Sequence, residues 1–399
     1  MIDPPLFQEP ARSLYVHIPF CQSRCFYCDF TTYVADSSVK AAYVARLIHE
    51  IEMMAATFDD RQKATPLSTI FFGGGTPTML NDQEWKQIAH AITTTFSLDE
   101  HVEWTVEANP GSTAEQLYPT LREIGVNRIS FGAQTFSEGL LQTIGRLHDA
   151  RDVMRAVKLA KEAGFTRISL DLMLGLPEQT LDDVKEALDA CKTLAISHLS
   201  AYGLKIEEGT PFADWQRKGL LPLPDEEDEV AMYEMVRSVL QKQGFRQYEI
   251  SNFAKKGEEA RHNLTYWRNL PYLAVGAGAH GYVLGERYEN VKSLHQYAAM
   301  IDEGRLPRQA QTVVSMAEAM EDEMMLGLRL EQGVILADFH RHFGVHAQEV
   351  FAKPLHSLRQ KGWIAEDEQR IWIDPAYYEV SNAIIAAFIQ SCEDFVPKS

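Results

Sequence analysis

Six short runs rich in β-branched and aromatic residues punctuate the first half of the chain: SLYVHI (13–18), STIFF (68–72), VEWTVE (102–107), NRISFG (127–132), TRISLDLM (166–173) and HLSAYGL (198–204). Their apolar density predicts buried strands. Between them apolar residues recur at helical spacing: Val44, Leu47, Ile48 and Ile51; Trp85, Ile88, Ala89 and Ile92; Val153, Ala156, Val157 and Ala160. Ser112 and Glu115 have the spacing of a capping box, and Gly164 stands where the helix built on Val153 to Ala163 would end. Strand and helix alternating about six times before residue 205 predict parallel strands joined by right-handed crossovers. A closed eight-unit barrel takes about 250 residues. Six units in this length therefore predict an α/β core that is either a partial, TIM-like (β/α)6 barrel or an open doubly wound sheet.

Beyond residue 205 the rhythm changes. LPLPDEEDEVAMYEMVRSVLQKQG reads as a turn followed by a helix that starts at the acidic run, and QYEISNFA reads as a further strand. From Ser315 the pattern is mostly helical, until LRQKGWIAEDEQRIWIDP predicts a helix running into a two-stranded hairpin. The expected organisation is a core over 1–205, an α/β extension over 206–314, and a small winged-helix-like domain over 315–399. Winged helices often bind DNA, but acidic residues surround this hairpin, which favours a structural or protein-contact module.

Composition narrows the functions available. The 399 residues are 45% hydrophobic, enough for a large core, and the formal charge is −18. Such a field opposes general binding to nucleic acid or anionic lipid. No apolar run approaches the roughly 20 residues that would cross a bilayer, and the start lacks a basic region followed by an apolar stretch, so a cytosolic location is expected. Three of the five cysteines crowd into CQSRCFYC, while Cys191 and Cys392 stand alone. In a reducing compartment that cluster points to metal binding more than to disulfides.

Cys21, Cys25 and Cys28 have the spacing C-x3-C-x2-C directly after the first predicted strand, where barrel and doubly wound folds place their active sites. Three thiolates can hold three irons of a cubane and leave the fourth open, whereas a ferredoxin site uses four cysteines. The alternative is zinc, which wants four Cys or His ligands. No second pair of ligands follows, although Cys191 or His17 could supply one more.

C-x3-C-x2-C with the aromatic Tyr27 before its third cysteine resembles the signature of the radical S-adenosylmethionine (SAM) superfamily. The resemblance implies a partial barrel with a 4Fe-4S cluster, whose open iron chelates the amino and carboxylate groups of SAM before one electron cleaves the sulfonium. It also gives roles to residues at later strand ends. Gly73, Gly74, Gly75, Thr76 and Pro77 follow the second strand, and of these Gly74, Gly75 and Thr76 resemble the segment that grips the SAM amino group. Arg146 would pair the SAM carboxylate, Glu107, Gln134 and Asp171 would take ribose or nearby polar atoms, and Tyr15 and Tyr27 would sit beside the cluster and the adenosyl group.

The phrases LYVHIPFC, IFFGGGTPT, VEANPG, RISFGAQTF and LDLMLGLPEQT extend the resemblance to the branch that holds the oxygen-independent coproporphyrinogen III oxidases and the heme chaperones of the HemW group. The oxidases carry a fourth cysteine, C-x3-C-x2-C-x-C, and a longer stretch before the first; here residue 30 is Phe. His262 to Trp267, HNLTYW, resembles the HNxxYW segment of the chaperones. These features imply a heme-binding protein that hands heme to an acceptor hemoprotein, membrane-bound acceptors included, with an electron donor such as flavodoxin or ferredoxin. His262 is the candidate heme ligand, with a buried packing histidine as the alternative. The competing functions are oxidative decarboxylation of coproporphyrinogen III and, less compatible with the acidic balance, zinc-stabilised DNA binding.

Overall fold

A computed structural model describes residues 5–111 and 116–392 of the protein. Ser112 and Glu115, the expected capping pair, lie outside the described residues. The six strands are β1 (Ser13–Ile18), β2 (Leu67–Gly74), β3 (Leu98–Ala108), β4 (Arg128–Gln134), β5 (Arg167–Leu174) and β6 (His198–Gly203), each parallel to the next. Three more join the same sheet. β7 (Arg246–Glu249) and β8 (Asn252–Ala254) form an antiparallel pair beside β6, and β9 (Leu273–Val275) lies parallel to β1 on its other side. The order β7-β8-β6-β5-β4-β3-β2-β1-β9 makes a partial barrel whose sheet draws strands from both sides of residue 205.

Strand alternation sorts the side chains. Leu14, Val16 and Ile18 of β1, Ile70 and Phe72 of β2, and Trp104 and Val106 of β3 turn outward into one buried core shared with the covering helices. Two of those helices, Ser37–Ala56 and Asp82–Thr95, are N-capped by Asp36 and by a reciprocal Asn81–Glu84 box. The opposite face of the strands carries Ser13, Tyr15 and His17, then Thr69 and Phe71, then Glu103, Thr105 and Glu107. The lumen is therefore polar, unlike the branched aliphatic filling of a closed eight-strand barrel.

At the strand-start end the lumen is closed by charge pairing and by a plug. Fully buried Glu103 meets Arg167 at 2.9 Å and Arg128 at 3.7 Å. Arg128 donates to the Glu258 carbonyl at 2.9 Å, and Arg167 reaches the Glu258 carboxylate at 3.1 Å. The short helix Arg261–Trp267 seats here: the His262 backbone N–H donates to Glu103 at 3.1 Å, and Thr265 and Ser13 share a hydrogen bond of 2.8 Å.

Two small antiparallel sheets follow. β10 (His280–Val283), β11 (Glu286–Asn290) and β12 (Arg308–Val313) form the first. β13 (Val334–Ile335), β14 (Ile364–Glu366) and β15 (Arg370–Ile373) form the second, in which the expected hairpin is joined by β13. The second sheet packs with the helices Leu336–Phe343 and Ala352–Gln360 around Phe339, Phe351, Leu355 and Ile371, giving the C-terminal region a core of its own.

Removing Glu103 would leave two guanidinium groups in the lumen without their shared carboxylate. Glu103→Ala should lower stability to urea by about 3–5 kcal/mol. Glu258→Ala, at the more exposed end of the network, should cost under about 1 kcal/mol. Equal losses would place the plug's anchor at Glu258.

Candidate functional site

The chain leaving β1 is fastened to the exit of β2. The Gly75 N–H donates to the Ile18 carbonyl at 2.9 Å and the Thr76 N–H to the Phe20 carbonyl at 2.7 Å. A Cβ on Gly75 would lie 2.7 Å from the Phe20 carbonyl oxygen, and one on Gly74, whose φ is +109°, would lie 2.4 Å from the His17 ring. Packing thus demands the glycines before any ligand is considered. The loop after β1 folds back on itself, Tyr33 donating to the Pro19 carbonyl at 2.7 Å and Cys21 to the Tyr33 carbonyl at 3.0 Å.

This arrangement turns Cys21, Cys25 and Cys28 into a cavity of about 350 Å³ at the strand-finish end, shared with Tyr27, Gly74, Gly75, Glu107, Gln134, Arg146 and Asp171. Burial raises the Cys21 thiol above its usual range, and neighbouring Cys25 raises it further. Burial also raises Cys28, with Cys25 and Cys21 adding to it. Thiols that resist ionisation beside one another release protons to a cation that joins them. Among the described residues no three His, Cys, Asp or Glu side chains gather closely enough to hold a single ion. Three thiols lining one cavity are the ligand number of a cubane with one open iron and one short of a tetrahedral zinc site. Cys191 is sealed in the helix Leu181–Leu194, and His17 is committed to Tyr15 at 2.9 Å and the Thr31 carbonyl at 3.1 Å, so neither joins the three thiols.

Arg146 faces them. Its guanidinium donates to the Gly132 carbonyl at 2.8 Å and to Asn109 Oδ1 at 3.1 Å, and stands 3.7 Å from Cys25 Sγ. Its Nε is buried without a hydrogen-bond partner, while the guanidinium as a whole lines the cavity and gives it a fixed positive charge suited to an anionic group. Gln134 ends β4 at φ 64°, a left-handed conformation uncommon outside glycine, next to an irregularity in the β4–β5 register.

Glu107 and Asp171 approach from adjoining strands. Burial, then repulsion by Asp171, pushes Glu107 up to about 8; burial pushes Asp171 up to about 6, against hydrogen bonds from Ser200 and Ser130. Neutral carboxylic acids can donate as well as accept, which suits vicinal hydroxyls.

Thr76 lies beside the thiols, 3.6 Å from Cys21 Sγ, and accepts from Asn109 at 2.8 Å. Two expected residues lie elsewhere. Tyr15 borders a neighbouring cavity rather than the one with the thiols. His262 is only 1% exposed, stacks on Phe71 at 5.1 Å, and has both ring nitrogens engaged, Nδ1 with Thr69 and Nε2 with the Tyr266 hydroxyl, each at 2.8 Å. Burial pulls it down to about 3. His262 therefore has the surroundings of a packed, neutral histidine in the plug, the alternative that stood beside the heme ligand in the sequence.

Asn109, Ser130, Gly132 and Tyr202 line the thiol cavity without having been singled out from sequence. Period-two alternation back from Gln134 would have found Gly132 and Ser130. Asn109 lies inside VEANPG, two residues past Glu107.

The Glu107 carboxyl gives a signed pH test. Its pKa is raised from 4.5 to about 8, so the stability contributed by its protonated form is fully present below about 4.5 and is lost as pH rises through about 8. Glu107→Gln should melt with the wild type near pH 4.5 and above it near pH 8.5 in SAM-free protein. Parallel curves would mean that Glu107 is ionised in the folded chain throughout.

The same segments carry the relationship to known proteins. The radical SAM superfamily model matches residues 15–191, and the HemN C-terminal domain model matches residues 314–376. The solved structure of coproporphyrinogen III oxidase HemN from Escherichia coli superposes with a TM-score of 0.82, covering 95% of this chain and 90% of that one, at 23% identity, and so shares the fold. The heme chaperone HemW of Bacillus subtilis is 40% identical across 95% of this chain and 99% of its own, and that of Lactococcus lactis 37% identical across 96% and 98%. Identity of that order over nearly the whole of both chains, with the three thiols, the glycine run and Arg146 gathered at one barrel mouth, means that the chain belongs to the HemW family of the radical SAM superfamily.

Proposed function

We propose that this protein is a heme chaperone: it carries a 4Fe-4S cluster on Cys21, Cys25 and Cys28, binds SAM in the same cavity, and passes heme to an acceptor hemoprotein. The observation that carries the reading is the end-to-end match to relatives named as heme chaperones. When bound, the cluster supplies an electron to the SAM sulfonium, and its source is a small donor of the flavodoxin or ferredoxin kind. Arg146 would meet the SAM carboxylate with the guanidinium that lines the cysteine side of the cavity. Glu107, Gln134 and Asp171 would take ribose hydroxyls, and Gly74 and Gly75 line the cavity where the amino group would sit. Tyr27, half-buried among the cysteines, gives the thiol side of the cavity an aromatic wall.

Residue 30 separates this reading from coproporphyrinogen oxidation. The oxidase pattern puts a fourth cysteine there, and this chain puts a phenyl ring that is 63% exposed. In the absence of heme His262 fastens the plug to the barrel through Thr69 and Tyr266. No helix among the described residues is long and apolar enough to cross a membrane. A membrane-bound acceptor would be met through protein contact.

Anaerobic reconstitution should load about four irons per chain. Alanine at Cys21, Cys25 or Cys28 should abolish the cluster absorbance, whereas alanine at Cys191 or Cys392 should leave it. An essential Cys191 or Cys392 would overturn the three-thiol site. SAM should perturb the EPR spectrum of the reduced cluster, and Arg146→Ala should weaken that binding by about tenfold or more, beyond the effect of Glu107→Ala. The same preparation should bind hemin and, given SAM and reductant, form no protoporphyrinogen from coproporphyrinogen III. Steady vinyl formation would restore the oxidase.

A further inference from the structure

Each of the three thiols has a hydrogen-bond donor beside it. The Phe30 N–H donates to Cys28, Arg146 Nη1 stands 3.7 Å from Cys25 Sγ, and the Thr76 hydroxyl stands 3.6 Å from Cys21 Sγ. Two of these donors, on different loops, are joined by one amide. Asn109 Oδ1 accepts from Arg146 Nη1 at 3.1 Å, and Asn109 Nδ2 donates to Thr76 Oγ1 at 2.8 Å.

The direction of every bond in this chain follows from the groups at its two ends. A guanidinium has donors and no acceptor, so the Asn109 oxygen must face Arg146 and the amide NH2 must face Thr76. Thr76 Oγ1 therefore accepts, and its one proton is left for its other partner among the described residues, Cys21. A cysteine bound to iron is a thiolate with no proton to give. From the cation outward, Arg146 donates to Asn109, Asn109 to Thr76 and Thr76 to Cys21, and hydrogen bonds aligned in one sense polarise one another.

The fold holds all three members of this relay in place. Asn109 stands two residues beyond Glu107 at the end of β3 and lines the same cavity. Thr76 is 2% exposed, with its N–H on the Phe20 carbonyl. Arg146 lies against Gly132, where a Cβ would come within 2.6 Å of its Nη2.

We propose that Asn109 and Thr76 are positioning residues that raise the reduction potential of the cluster, by carrying the influence of the Arg146 charge to the Cys21 sulfur. The inference rests on the three-thiol cluster reading above. When one electron arrives from the small donor, part of the added negative charge falls on the thiolate sulfurs, while no bond breaks and no proton moves. Donors aimed at those sulfurs stabilise the reduced form over the oxidised one. Acting on Cys25 directly and on Cys21 through the relay, one guanidinium reaches two of the three ligands.

The test is an EPR-monitored potentiometric titration of full-length, cluster-loaded, SAM-free protein. Thr76→Val, which keeps the shape and removes the hydroxyl, should lower the equilibrium constant for one-electron reduction about tenfold, a fall of about 59 mV. Thr76→Ser, which keeps the hydroxyl, should stay within about threefold of wild type. Asn109→Ala should lower the constant about threefold or more in the wild-type background and less than about twofold in the Thr76→Val background, where the relay is already cut. About four irons per chain in each variant separate a shift in potential from a lost ligand.

An unchanged potential in Thr76→Val would overturn the proposal and leave the three-thiol reading standing. So would an Asn109→Ala effect of equal size in both backgrounds, which would make Asn109 a support for Arg146 alone. Should Thr76→Val load no cluster, Asn109→Ala decides: a lowered potential supports the relay and an unchanged one overturns it. A wild type that assembles no cluster would remove both the relay and the reading on which it rests.

Discussion

Where β1 and β2 end, two backbones lie so close that nothing larger than hydrogen fits between Gly75 and Phe20. The contact is a pair of hydrogen bonds, Gly75 to Ile18 and Thr76 to Phe20, made across the parallel register in which Gly74 partners Ile18. It determines where the cysteine loop can start. Tyr33 and Pro19 determine where it returns, and the three thiols are pressed toward the lumen as a consequence. A methyl group at Gly75 would meet main-chain atoms that cannot turn aside, so the loop and every residue facing it would have to move.

The barrel divides its work between its two ends. At the strand starts, Glu103, Arg128 and Arg167 form a buried charge network, and the helix carrying His262 is tied into it. At the strand ends, Glu107, Asp171 and Arg146 are less buried and line the thiol cavity: two carboxyls pushed toward neutrality and one guanidinium held by Gly132 and Asn109. The first end is arranged to be filled by the chain itself. The second is arranged to be filled by something else.

Much of this was legible from residue patterns, for identifiable reasons. Strands such as Ser13–Ile18 announce themselves because they are apolar on the outward face and partly apolar on the inward one. β9 does not, because three residues, Leu273 to Val275, are too few to carry a period between Pro271 and Gly276. QYEISNFA reads as one strand and folds as two, since Glu249 and Asn252 pair across a turn that lacks glycine or proline. Cysteine spacing located the thiols because the ligands are local in sequence. His262 stayed open between ligand and packing residue for the opposite reason: besides nearby Tyr266, its partners Thr69 and Glu103 lie more than a hundred residues away, and no local signal tells a satisfied histidine from an available one. Tyr15 fell in the neighbouring cavity because both cavities share the wall between them.

That wall is the loop from Pro19 to Tyr33, and it is clamped from both sides. Gly75 holds it from β2, and Gly276 and Gly278 hold it from the turn after β9. His17 is the common post: its ring abuts Gly74, its carbonyl oxygen abuts Gly276 and accepts from Tyr43, and its Nε2 reaches the Thr31 carbonyl. Burial keeps that ring neutral, with a pKa near 4, so the post does not change charge across the neutral range. The thiols project to one side of the loop and the neighbouring cavity opens on the other, with Phe30 at the lip. Because close-packed interiors move as blocks rather than yielding locally, the separation between the two cavities is set by this single loop. A thiol at position 30 would give the lip another metal ligand, whereas the exposed phenyl group found there offers only an apolar surface, so the metal chemistry of the mouth is confined to the three thiols on one side of the loop.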